Sequence, residues 1–253
     1  MSVSQGMHSP VAQFEIKPLI ELSFGGYDLS FTNSSLFMLL AIGLSAAFLI
    51  SSTRRGELVP GRMQGVSEIM YEFVADMVRS NVGHEGRPYF PFIFTLFVFL
   101  LFGNMLGLIP YSYTFTSQII VTFAMAAFVF VGVTIIALFK HGLHFFSFFV
   151  PAGAPKVLIP FLIVIEVISY FVRPVSLSVR LFANMLAGHT MLKVFAGLAV
   201  MISSAGGLAM AGSLLPFVAL IGLTGLEVLV ATLQAYVFTI LTCMYLNDAL
   251  HLH

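Results

Sequence analysis

The chain has 253 residues, 59% of them hydrophobic and only 9% charged, with a mean hydropathy of +1.02. Soluble proteins carry about 25% charged residues, so this composition excludes an ordinary soluble domain and reads as an integral membrane protein. The 11 basic and 11 acidic residues cancel, which removes any charge argument for nucleic acid or an acidic substrate, and the single Cys243 rules out an internal disulfide framework.

Residues 1–30 are mixed and polar, with Glu15, Lys17, Glu21 and Asp28. No basic flank and early apolar run mark a cleavable signal peptide, so the N-terminal segment is expected to be retained. The first apolar run, with its Ser/Thr flanks, covers 34–53 and reaches the roughly 20 residues that cross a bilayer. Arg54, Arg55, Glu57 and Arg62 end it. Over 60–82, Met63, Val66, Met70, Phe73, Val74 and Met77 recur at helical spacing, with Glu68, Glu72, Asp76 and Arg79 on the other side. This pattern predicts an amphipathic helix, begun at Pro60, that lies on the membrane surface or packs on a soluble partner.

No charged residue occurs between Arg87 and Lys140. That length holds two spans, 90–110 and 118–139, with the polar "YSYTFTSQ" after Pro110 marking the turn between them. The loop from Lys140 to Lys156 has basic ends and Pro/Gly punctuation. Two long apolar segments follow, 158–201 and 214–247, separated by the Gly/Ser-rich stretch Ser203 to Ser213. As helices they would measure roughly 65 Å and 50 Å at 1.5 Å per residue, well beyond the roughly 30 Å hydrocarbon core. Each is either two short spans or one steeply tilted helix; with so few basic residues and no polar loop inside either segment, the tilted hairpin is the expected form. The fold class is therefore all-α integral membrane: about three transmembrane helices, an amphipathic surface helix and a long tilted two-helix hairpin, in a single domain over 1–253. Arg54, Arg55, Arg62, Arg79 and Arg87 follow the first span, Lys140 and Lys156 the third, and none lies in "YSYTFTSQ". By the positive-inside rule the N-terminus is outside and the C-terminus cytoplasmic.

The hairpin carries Glu166, Arg173, Arg180, Asn184, His189, Lys193, Glu227 and Gln234. A charge at the centre of a membrane helix costs about 2.5–3.5 kcal/mol on insertion scales, and such residues usually mark ion pathways. Glu166, Arg173 and Arg180 are seven apart and Asn184 follows four later, so they share one stripe; Glu227 and Gln234 are likewise seven apart. His189 lies nine residues beyond Arg180, about 180° around the helix. Arginine cannot carry a proton and acts as a fixed cation, whereas Glu and His can relay one. The bland alternative is internal pairing, Glu166 with Arg173 and His189 with Glu227, with Arg173 and Lys193 also able to snorkel. Arg180 has no acid three or four residues away, so no local helical pair is open to it.

"RLFANMLAGH", "LEVLVATLQAYVFTILTCMYLNDAL", "FGNMLGLIP", "HGLHFFSFFVPAGAP" and "EVISYFVRPVSLSVR" together resemble subunit a of the F-type ATP synthase. The resemblance covers nearly the whole chain after residue 30. It implies two long tilted helices against a rotor ring, with Arg180 facing the rotor carboxylate and Asn184 and Gln234 around it. Glu166 and Ser169 would line one aqueous half-channel, and His189 and Glu227 would form an acid/base pair in the other proton route. Some bacterial members carry Glu and His at these two positions in the opposite order, so one acid and one imidazole are kept. The implied partners are the c-ring, the subunit b peripheral stalk, other ATP synthase subunits and membrane lipid, in a bacterial inner membrane, with no cofactor and no metal. The chain alone would be no enzyme. The alternatives are a proton-coupled secondary transporter, although no internal repeat of the kind those folds show is visible, and a membrane metalloprotease at His141 and His144. "HGLH" lacks the glutamate and the spacing a zincin helix needs.

Overall fold

The computed structural model describes residues 14–21, 23–24, 27–28, 30–54, 56, 59–109, 112–149, 158–204 and 212–251. Arg55, Glu57, Pro110, Tyr111, Lys156 and most of the predicted break between Ser203 and Ser213 lie outside them. The protein is an all-α membrane fold. Among the described residues six α-helices carry it: α1 (Asn33–Thr53), α2 (Arg62–Asn81), α3 (Phe90–Gly107), α4 (Ile119–His141), α5 (Ile159–Ser204) and α6 (Leu214–Leu250). Short 3-10 helices at Gly83–Tyr89, Phe115–Ser117 and Gly142–Phe149 connect them. Five of these helical stretches are long and apolar enough to cross a membrane, α2 being the exception.

Several of the helix ends have a local cause. Thr32 caps α1, its hydroxyl accepting from the Ser35 amide at 3.4 Å, which satisfies one of the otherwise orphaned first-turn donors. α2 begins at Arg62, two residues after Pro60, on a Gly61 cap that makes no side-chain bond. Pro91 sits in the first turn of α3, where its missing N–H costs nothing. α4 ends on Gly142 at φ +56, a conformation that glycine adopts without strain.

The two last segments each run as one continuous helix, of 46 and 37 residues. At 1.5 Å per residue they extend about 69 and 56 Å. Pro174 sits inside α5, where it frees the carbonyl four residues back. Along α5 the buried positions are Tyr170, Pro174, Leu177, Ser178, Leu181 and Met185, and along α6 they include Glu227, Ala231, Gln234, Ala235, Phe238 and Thr242. Both sets step by three and four, so each helix turns one stripe inward. That stripe meets α3 and α4 in one core containing Ile93, Phe97, Leu100, Ala126, Val129 and Val133. α2 joins this core through Val74, Met77 and Val78, while Met63, Val66 and Phe73 stay exposed.

The mixed, polar N-terminal segment adds short strands: Pro18–Ile20 (β1) pairs antiparallel with Phe31–Thr32 (β4), and Ser23–Phe24 (β2) with Tyr27–Asp28 (β3). Asn33 ties this segment to the start of α1: its side chain accepts from the Lys17 amide at 3.2 Å and donates to the Glu15 carbonyl at 3.1 Å.

Candidate functional site

α5 and α6 run antiparallel, and two contacts set their register. At one end the Arg173 guanidinium donates to Asp248 Oδ2 at 2.9 Å. At the other, His189 Nδ1 stands 3.3 Å from Glu227 Oε1. Asn184 and Gln234 fall between these contacts on opposite helices, as does Arg180 on α5. Arg180 is about 10 Å along the axis from Arg173 and about 14 Å from His189.

Internal pairing with Glu166, one of the alternatives open to Arg173, gives way to Asp248 on α6, and the guanidinium lies against the rings of Tyr170 and Tyr245, 5.6 and 5.2 Å from their centroids. A planar cation between two aromatic faces is stabilised by the ring quadrupoles as well as by the carboxylate. Tyr170 is itself fixed to α4, its hydroxyl 2.7 Å from Thr134 Oγ1. Glu166 is half-buried and Ser169 exposed, on the α5 turns before Arg173.

Arg180 acts electrostatically on the Tyr245 phenol of α6. It is exposed, and among the described residues it forms no ion pair. Asn184, one turn on, is half-buried, and Gln234 is buried on α6. Lys193 is exposed.

Glu227 is 5% exposed, and its carboxylate oxygens have no hydrogen-bond partner among the described residues. The 3.3 Å approach of His189 is therefore a close contact whose alignment falls short of a hydrogen bond. Gly188 makes room for it: a Cβ there would stand 2.8 Å from Glu227 Oε1. The other ring nitrogen, His189 Nε2, is 2.9 Å from Thr114 Oγ1.

Thr114 comes from the stretch read as a polar turn between two spans. The turn is instead folded inward: Thr114, Phe115, Thr116 and Ser117 are all buried. Two glycines of α3 admit it. A Cβ on Gly103 would meet Phe115 Cζ at 2.4 Å, and one on Gly107 would meet Thr114 Oγ1 at 2.5 Å. Thr116 donates to Asn104 Oδ1 at 2.9 Å, and the fully buried Asn104 donates to the Ala231 carbonyl of α6 at 3.1 Å. Gln118 reaches the other way, to the Phe14 carbonyl at 2.7 Å and the Tyr113 hydroxyl at 2.8 Å, and the Phe14 ring lies 6.1 Å from that of His189. Burial pushes the Tyr113 phenol above its usual range, with the Gln118 bond opposing, so it remains a neutral donor to Phe14.

Thr114, Asn104 and Gln118 join this cluster without being candidates from the sequence; for Thr114 and Gln118 the signal is an uncharged run of hydroxyls mixed with aromatics, which a solvated turn does not need, and Asn104 in its apolar helix carries none. At the far end of the bundle His141 Nε2 donates to the Ala249 carbonyl at 3.1 Å, and Lys140 pairs with Glu85. His141 is thus a helix-end contact. Among the described residues no three His, Cys, Asp or Glu side chains gather as a metal site.

A family model described as ATP synthase A chain matches residues 35–247. The chain is 58% identical to ATP synthase subunit a of Rhodospirillum rubrum over 247 residues, covering 98% of this chain and all of the relative. It is 55% identical to the same-named protein of Parvibaculum lavamentivorans, over 96% of this chain and 93% of the relative. For Rhizobium meliloti the identity is 53%, over 96% and 98%.

Proposed function

The chain belongs to the ATP synthase A chain family, a non-catalytic component of that complex and a multi-pass protein of the bacterial inner membrane, and we propose that Arg180 divides two proton half-channels in it. Family membership replaces the secondary-transporter alternative. The stator role is proton translocation beside a ring of c-subunits, with the peripheral stalk holding the chain still. Protons enter from the outer side past Glu227 and His189, protonate a carboxylate on a c-subunit, and leave after nearly one turn along Glu166 and Ser169. Asn184 and Gln234 complete the polar surroundings of Arg180, the N-terminus lies outside and the C-terminus in the cytoplasm.

The observation that carries this reading is the exposed Arg180 without an acid partner among the described residues, lying between a pair at Arg173–Asp248 and another at His189–Glu227. A fixed cation in that place attracts an arriving carboxylate and repels a proton, so the two routes stay separate. At about 4 Å and an effective dielectric near 20 the attraction is roughly 4 kcal/mol. The membrane potential supplies about 2.3 kcal/mol per charge per 100 mV, so the ion pair is strong enough to hold the site ionised and weak enough to release.

Arg180→Ala in the assembled complex is expected to abolish ATP-driven proton pumping into membrane vesicles. Wild-type coupling in that variant would overturn the reading. Arg180→Lys keeps the charge but loses the planar fork, and pumping is expected to fail there too if the carboxylate is held by two donors.

A further inference from the structure

We propose that Thr114 is a positioning residue that fixes the tautomer of His189, leaving Nδ1 free to exchange a proton with Glu227. The inference deepens the proton-path reading of His189 and Glu227 and rests on it for its consequence.

The hydroxyl of Thr114 has one proton and two neighbours. One is the Gly107 carbonyl, 3.1 Å away; the other is His189 Nε2 at 2.9 Å. Gly107 is the last residue of α3, where a helix carbonyl lacks its amide partner; its oxygen accepts instead from the Ser112 hydroxyl at 3.0 Å, which leaves its second lone pair for Thr114. A carbonyl can only accept. Were the Thr114 proton turned to the imidazole, two oxygen lone pairs would face each other at 3.1 Å, at the negative end of a helix dipole. The proton therefore lies between Thr114 and Gly107, and Thr114 presents a lone pair to His189. Nε2 must carry a hydrogen to meet it.

The rest of the ring follows. With Nε2 protonated, the neutral imidazole has its lone pair on Nδ1, the atom 3.3 Å from Glu227 Oε1. A single proton can then pass between them when rotation of the Glu227 carboxyl brings the 3.3 Å contact into line. The O–H bond of Glu227 breaks as the N–H bond at Nδ1 forms, giving a carboxylate beside an imidazolium, and the reverse step restores both neutral groups. With the other tautomer Nδ1–H would block this step, and the basic nitrogen would face away from the acid.

The site is built for this arrangement. Gly107 and Gly188 are the two places where a Cβ would strike Thr114 or Glu227. The groups facing the imidazole are Glu227 from α6, Thr114 from the inward turn and Phe14 from the N-terminal segment. Lys193, four residues on, is the charged neighbour along α5 itself.

The test uses the assembled complex labelled with nitrogen-15 histidine, and takes the difference spectrum against His189→Gln. His189 is expected to show the Nε2–H tautomer in the wild type and in Thr114→Ser, and to lose it in Thr114→Val. ATP-driven pumping is expected to fall about tenfold in Thr114→Val, the scale on which losing one hydrogen bond shifts a tautomer equilibrium, and to recover in Thr114→Ser. An Nδ1–H tautomer in the wild type would overturn the proposal. So would a Thr114→Val complex with unchanged tautomer and pumping. If that variant does not assemble, the wild-type and Thr114→Ser spectra decide alone. Retained coupling in Arg180→Ala, with the tautomer as expected, would instead sink the half-channel reading and leave this one standing.

Discussion

Among single residues, the glycines give the sharpest tests, because the atom they would strike differs. At Gly188 that atom is the end of a flexible side chain, the Glu227 carboxyl. Glu227 can swing away from an added methyl, so Gly188→Ala should cost little stability, about 1 kcal/mol. Swinging breaks the 3.3 Å approach to His189, and pumping should fall well before thermal stability does. Equal losses in both measurements would argue that the pair is merely structural. At Gly107 the nearest atoms include Thr114 Cβ at 2.9 Å, which cannot move without the backbone. Gly107→Ala should therefore lower thermal stability, by about 1–3 kcal/mol, and displace the inward turn as well. Gly197→Ala, with nothing within 4 Å, is the control that should do neither.

For the helices and the turns between them, what could be read in the sequence and what could not divide along a physical line. Crossing a bilayer demands about 20 apolar residues, so α1, α3 and α4 show themselves as charge-free lengths, and the long segments after Lys156 show themselves as too long for one upright span. Pairing between helices leaves no such trace. Arg173 and Asp248 are 75 residues apart, Thr114 and His189 also 75, and Asn104 and Ala231 127. Which polar groups meet depends on register, and periodicity fixes a face without fixing a partner. This is why the sequence offers Arg173 an alternative partner on its own helix, Glu166, and gives no sign of Asp248. The Arg173–Asp248 contact anchors one end of the α5–α6 register, so Asp248→Ala should loosen it. Because the two side chains are 20% and 36% exposed, solvent screening limits the loss to about 1–2 kcal/mol, below that of a fully buried pair. Hydrogen exchange should rise at the α6 C-terminus while the amides around Glu227 stay protected. Unchanged exchange throughout would mean the helices hold their register without the pair.

Over the whole molecule, the face of α5 that carries Arg180 is exposed and built of small side chains, as the proposed rotor contact requires. Ser176, Arg180, Ala183 and Ala187 follow one another at four, three and four residues, and all are exposed. The opposite positions Leu177, Leu181 and Met185 are buried against the bundle. Small side chains on both sides of this cation let a partner helix come close, as the proposed approach of a rotor carboxylate to Arg180 would need. Ala183→Leu adds bulk to that face without touching the core, so the isolated chain should keep its thermal stability to within about 0.5 kcal/mol. A helix sliding past would be held off by the larger side chain, and the ion pair, which weakens with distance, would be held off with it. Pumping in the assembled complex should drop several-fold, more steeply than for Ile168→Leu, an exposed change two turns beyond the small-residue stretch. If Ala183→Leu pumps as the wild type does, the rotor must dock elsewhere, and the exposed Arg180 would need another partner.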